Sequence, residues 1–165
     1  MGAIRMLRHV CAEGSARRQF PARTLDAIQH AVADGEKRHS GQVMFAVEGA
    51  LPLHDLVRGR SARARAREVF AHLRVWDTKH DSGVLIYVLL ADHAIEILAD
   101  RGITAKVAET EWQSIAARMQ ARFAAGEFEQ GAIDGVNAVG ALLAKHFPAD
   151  GAPRDNELPD RPVLL

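Results

Sequence analysis

Two aspartates, Asp77 and Asp81, stand just ahead of an apolar run from Gly83 to Leu90. A third, Asp100, follows the segment from Ala94 to Ala99. If those two segments are the strands of one hairpin, the start of the first lies beside the end of the second. Asp81 and Asp100 then become neighbours, about 5 Å apart if directly paired. Two carboxylates that close repel, which favours a shared cation or a raised pKa. Calcium takes about six to eight oxygens from carboxylates, carbonyls and water, and magnesium takes fewer with stricter geometry. Thr78, Ser82 and the loop carbonyls offer more oxygens, and a parallel strand starting at the same edge would bring His39 and Gln42 close. The competing reading is a set of solvated turn residues with Arg101 as counter-ion.

A second constellation is basic. Arg58, Arg60, Arg63, Arg65 and Arg67 bracket the start of a predicted helix. Helix N-termini attract anions, and arginine grips phosphate bidentately. Arg60, Arg63 and Arg67 also share one face at i, i+3 and i+7, the spacing of a solvated helix face that could pair with Glu68. Of the eight histidines, none forms an HxxxH pair with an acid between, so a zinc hydrolase is poorly supported. His80, next to Asp81, is the one histidine to test as a general acid or base. There is no GxSxG, P-loop or GxGxxG.

The elements that must position these residues follow from periodicity. Leu25, Ile28 and Val32 mark a helix over Ala22 to Arg38. Val43 to Glu48 reads as a buried strand, Gly49 to Gly59 as a loop, and Ser61 as the N-cap of a crossover helix. The run GVLIYVLL is apolar on both faces, as a central strand covered above and below would be. A tight turn at Asp92-His93 leads into the antiparallel strand Ala94 to Ala99. Two long helices follow. Trp112, Ile115, Met119 and Phe123 line one, Ala132, Val136, Val139 and Leu143 the other, and Gly126 caps the boundary. A strand, a crossover helix and a strand give a right-handed parallel pair. The sum is an α/β/α three-layer sandwich, Rossmann-like, with a mixed sheet of three to four strands.

The chain has 165 residues, one domain's worth, with 21 basic and 21 acidic side chains. That balance argues against a dedicated nucleic-acid binder. Cys11 is the single cysteine and cannot form an internal disulfide, which suits a reducing, cytoplasmic setting. No run approaches the roughly 18 apolar residues of a membrane helix. Residues 1–20, with four arginines and Glu13, read as a partly disordered leader, 21–148 as the domain, and 149–165 as an extended tail holding Pro153, Pro159 and Pro162.

The run VWDTKHDSGVLIYVLLADHAIEILADRGI, Val75 to Ile103, resembles the TPM-domain family. So does the later pattern of Trp112, Met119, Phe123, Gly126, Phe128, Gly131 and His146-Phe147-Pro148, and the likeness reaches back through His39-Ser40-Gly41 and Val47-Glu48. The resemblance implies a Rossmann-like sandwich. It also implies a setting: relatives include a thylakoid-lumen protein with acid phosphatase activity, calcium-binding domains, and membrane-anchored bacterial members encoded beside LemA-type proteins. Where relatives often read Asp-Asn-Gly or Asn-Gly, this chain reads Asp81-Ser82-Gly83. The expectation is a stand-alone domain that binds a divalent cation, calcium or else magnesium, through Asp81, Asp100 and Asp77, and docks onto a protein partner. That partner would be of the LemA or membrane-anchored TPM type. The alternative is a metal-assisted acid phosphatase, and behind it an anion or nucleic-acid binder using Arg60 and Arg63.

Overall fold

Which face each apolar residue occupies decides the layers. The computed structural model describes residues 3–12, 14–152 and 155–165; Met1, Gly2, Glu13, Pro153 and Arg154 lie outside the described residues. Strands β1 (Gln42–Glu48) and β2 (Gly83–Leu89) are buried along their whole length, as the unbroken apolar runs require. They pair in parallel, Phe45 opposite Ile86 and Ala46 opposite Tyr87. Strand β3 (Ala94–Ala99) returns antiparallel to β2, with Ile86 opposite Ile97. The fourth strand, β4 (Val163–Leu164), comes from the tail and adds in parallel to the free edge of β1, Ala46 facing Val163. The sheet order is β3-β2-β1-β4.

Alternate residues feed two cores. Val43, Phe45, Val47, Val84, Ile86 and Val88 pack under α3 (Ala22–Glu36), α7 (Glu109–Ala124) and α8 (Phe128–His146). Met44, Ala46, Leu85, Tyr87 and Leu89 face α5 (Ala62–His72), with Leu158 of the tail in the same cluster. The three-layer sandwich is therefore as the sequence predicts. Each fully buried large side chain contributes about 1.5–3 kcal/mol. Ser61 caps α5, its hydroxyl accepting from Ala64 N–H at 3.1 Å. Helices α7 and α8 approach closely because Gly135 lacks a side chain; a Cβ there would run into Met119 Sδ.

Three segments carry more structure than the sequence reading gave them. The leader forms two helices, α1 (Ala3–Cys11) and α2 (Ser15–Gln19). The loop after β1 contains a short helix, α4 (Leu53–Val57). Asp100 opens a one-turn helix, α6 (Arg101–Thr104). Among the described residues, no helix is long and apolar enough to cross a membrane.

Candidate functional site

The acidic edge forms where β2 begins and β3 ends. The register puts Gly83, rather than Asp81, opposite Asp100: Val84 faces Ala99, and Asp100 N–H donates to Gly83 O at 2.9 Å. Asp81 is two residues earlier, in a left-handed turn with φ of 51°. Direct pairing of the two aspartates, expected from the hairpin alone, is thus displaced by the turn. One residue still bridges them. Arg101 places its guanidinium on Asp81, Nε to Oδ2 at 2.8 Å, and donates its backbone N–H to Asp100 Oδ1 at 2.7 Å. Hydrogen bonding to Asp81 raises the Arg101 pKa above its ordinary value. The counter-ion reading of Arg101 is therefore part of the geometry. Its side chain is 83% exposed, so this pair adds little stability.

The rest of the edge is polar and tight. Gly102 lies against the carbonyls of His80 and Asp81, so that a Cβ there would stand 2.7 and 2.6 Å from those oxygens. Thr78 Oγ1 accepts from Ser82 N–H at 2.9 Å and fixes the turn. Asp100 Oδ2 and Ser82 Oγ are buried with no hydrogen-bond partner among the described residues. Asp77 is exposed, with Arg74 at 3.8 Å as its ion-pair partner among the described residues. His80 and Lys79 line a polar cavity of about 260 Å³ with Ser40, Gln42, Asp155 and Glu157. Gln42 is therefore at this edge, as expected. His39 is not: its ring is buried against Gly35 and Gly140, with Nδ1 3.1 Å from Gly41 O, and burial depresses its pKa to about 4. No group of three or more His, Cys, Asp or Glu side chains forms a ready metal cage among the described residues.

Of the arginine series, Arg60, Arg63 and Arg65 are held in ion pairs. Arg60 meets Asp55 at 3.1 Å and also Glu68. Arg63 meets Glu96 at 3.1 Å and Glu109 at 2.8 Å. Neither is left with its charge unanswered for a phosphate. The solvated-face reading with Glu68 as partner describes Arg60, while Arg63 ties α5 to β3 and α7.

The opposite edge, beyond the carboxyl ends of the parallel strands, holds polar clusters that sequence reasoning named only in passing, as Glu48 and Asp92. Glu48 is 4% exposed. Its carboxylate accepts from Arg65 Nη2 at 2.8 Å, Arg65 Nε at 2.9 Å and the Tyr87 hydroxyl at 2.6 Å. Burial and the bond to Glu48 drive the Tyr87 pKa far upward, and the bond to Glu48 raises that of Arg65. Next to it, Asp92 takes Arg5 at 2.7 Å and His9 Nε2 at 3.0 Å. Burial alone would raise the Asp92 pKa, but these bonds outweigh it and hold it low. Leu51 N–H donates to His9 Nδ1 at 3.0 Å, which leaves the ring proton on Nε2, facing Asp92. A cavity of about 700 Å³ opens here, lined by His9, Arg17, Glu48, Leu56 and Arg65 among others.

The TPM-domain family model matches residues 19–142, most of the chain. The chain belongs to the TPM-domain family. Among solved structures, the chain is similar to the NMR structure of BA42 protein from the psychrophilic bacterium Bizionia argentinensis sp. nov. The TM-score is 0.75 at 34% identity, covering 87% of this chain and 93% of that one. No curated protein matches it in sequence. Within the TPM domain, the pairing of Glu48 with Arg65 could have been found from sequence. An acid ending a fully buried strand needs a cation, and the crossover helix supplies several. The pairing of Asp92 with Arg5 and His9 could not, since more than eighty residues separate them.

Proposed function

We propose that this TPM domain binds a divalent cation, calcium or magnesium, at the hairpin base, and that occupancy of the site governs docking onto a protein partner in the cytoplasm. One observation carries the reading: Asp100 Oδ2 is shielded from water and lacks a donor among the described residues, while its carboxylate stands one residue from the arginine that holds Asp81. A buried carboxylate oxygen without a donor loses its hydration with nothing in return, and a cation would supply the missing partner. The donors fit a hard ion. Asp100 and Asp81 would give carboxylate oxygens, Asp77 lies in the same loop, and water would complete the shell, as magnesium in particular prefers. Asp81 would exchange an exposed arginine for the ion, a small loss. By family resemblance the partner is a LemA-type or membrane-anchored TPM protein.

The phosphatase reading is decided by assay. A bound ion would polarise a phosphoryl oxygen and activate water, and His80 in the polar cavity would move the proton. His80 has no hydrogen bond to a nucleophile or an orienting acid among the described residues, so a binding module is the better fit. Calorimetric titration of metal-stripped protein with calcium and with magnesium, run beside phosphomonoester hydrolysis, separates the two. The proposal expects saturable binding that is lost in Asp100→Asn, and no metal-dependent turnover. Turnover above about 1 s⁻¹, ordinary for a modest enzyme, that vanishes in Asp81→Asn and falls about 10²-fold in His80→Ala would replace the module with the enzyme.

A further inference from the structure

Helix α1 is amphipathic in the reverse sense. Two of its polar side chains face the body: His9 is 3% exposed, and Arg5 and His9 are both anchored to Asp92. Its apolar side chains face outward, with Ile4 at 76%, Leu7 at 64% and Val10 at 64% exposure. The buried polar face explains why the helix docks, and it leaves the apolar face without a partner in the fold. The same end of the molecule carries two more exposed aliphatics, Leu53 (66%) and Val57 (63%), on α4. The two helices adjoin: Val10 and Leu53 line one cavity, and Arg5 donates to Arg60 O at 2.7 Å just after α4.

Charge identifies the occupant. Arg8, Arg17 and Arg58 are exposed on or beside these helices and have no ion-pair partner among the described residues. Among the described residues, the side-chain carboxylates of this end, Glu48, Asp55 and Asp92, are all engaged by arginine or histidine within the fold. The face therefore combines projecting aliphatic side chains with unanswered cations. A second copy would bring cations against cations. An anionic lipid surface answers both features, because an in-plane amphipathic helix inserts its apolar side and holds acidic headgroups with flanking arginines. We propose that the α1–α4 face lies on membranes rich in acidic phospholipid, with Ile4, Leu7, Val10, Leu53 and Val57 entering the headgroup–acyl boundary. This lies beyond the cation reading and at the other end of the sheet from it.

The test is vesicle co-sedimentation of the full chain, with phosphatidylcholine vesicles with and without phosphatidylglycerol. The expected result is binding to the phosphatidylglycerol vesicles only, weakened at about 1 M salt, where the Debye length shrinks to about 3 Å. Leu7→Gln with Val10→Gln should reduce binding about tenfold or more, since two inserted side chains are lost. Arg8→Gln, Arg17→Gln and Arg58→Gln should each cost about fivefold. All five positions are exposed, so melting curves should match the native chain. Absence of binding to acidic vesicles, or binding unchanged in both sets of variants, overturns the proposal. So does a concentration-dependent dimer of the native chain that Leu7→Gln dissociates, which would assign the face to a second copy.

Discussion

Replacing Arg65 with methionine keeps the aliphatic stem and removes the charge, leaving Glu48 buried with the Tyr87 hydroxyl as its one remaining donor among the described residues. The native carboxylate has three donors between 2.6 and 2.9 Å, two of them from Arg65. Stripping one partner from a buried ion pair costs about 3–5 kcal/mol. The Arg65 side chain is 22% exposed, so water softens the loss; we expect about 2–4 kcal/mol. Tyr87→Phe removes one bond to a charged acceptor and should cost about 1.5–3 kcal/mol. Because both donors serve one carboxylate, the double variant should deviate from additivity by at least about 0.5 kcal/mol. Urea unfolding at neutral pH, followed by fluorescence of the buried Trp112, measures all three. With an m-value of about 1–3 kcal/mol/M, the Arg65 variant should unfold about 1 M or more earlier. Arg67→Met, at an exposed position of the same helix, should stay within about 0.5 kcal/mol of native. If Arg65→Met matches Arg67→Met, Glu48 is not a buried charge held by Arg65.

Stability should respond to pH through two groups of opposite sign. Burial depresses His39 to about 4, so its contribution is complete above its ordinary value of 6.5 and is lost as pH falls toward 4. Burial raises Glu36 to about 7, so its contribution is complete below 4.5 and is lost as pH rises through 7. Each spans about 3 kcal/mol, at about 1.4 kcal/mol per pH unit, and they oppose each other across their shared window. Glu36→Gln should therefore gain stability relative to native by about 3 kcal/mol between pH 4.5 and about pH 8, measured by urea unfolding at each pH. A difference independent of pH would contradict the assignment. Gly102→Ala should destabilise the chain by about 1–3 kcal/mol through collision with the His80 and Asp81 carbonyls; an unchanged melting temperature would refute that contact. Amide exchange should be slowest in Val84 to Leu89, because a strand paired on both sides opens only with global unfolding; fast exchange there would refute its central position.

The layers were legible because burial writes itself into composition. GVLIYVLL has no polar position, so both of its faces had to be covered, and Ser61 marked the start of α5. What escaped was long-range. Nothing local to Arg5 or His9 points to Asp92, and nothing in Pro162-Val163-Leu164 distinguishes an extended tail from a strand against β1. At the acidic edge the residues were legible and their register was not. A hairpin read as continuous places Asp81 opposite Asp100, whereas the left-handed turn at Asp81 ends the strand at Gly83 and turns the carboxylate toward Arg101. The arginine series was legible as a helix-surface stripe from its spacing at i, i+3 and i+7, and Arg60 and Arg63 of that stripe pair with Glu68, Glu96 and Glu109.

The most direct test of the cation reading is calorimetric titration of calcium into metal-stripped native protein, Asp81→Asn and Asp100→Asn. Asparagine at position 100 still caps α6, so the variant keeps its fold. The account predicts saturable binding by the native chain and a loss of about tenfold or more in each variant, with melting temperatures equal in the absence of metal. Calcium affinity within about threefold of native, a difference under about 1 kcal/mol, in both variants would place the ion elsewhere and remove the hairpin base as the site.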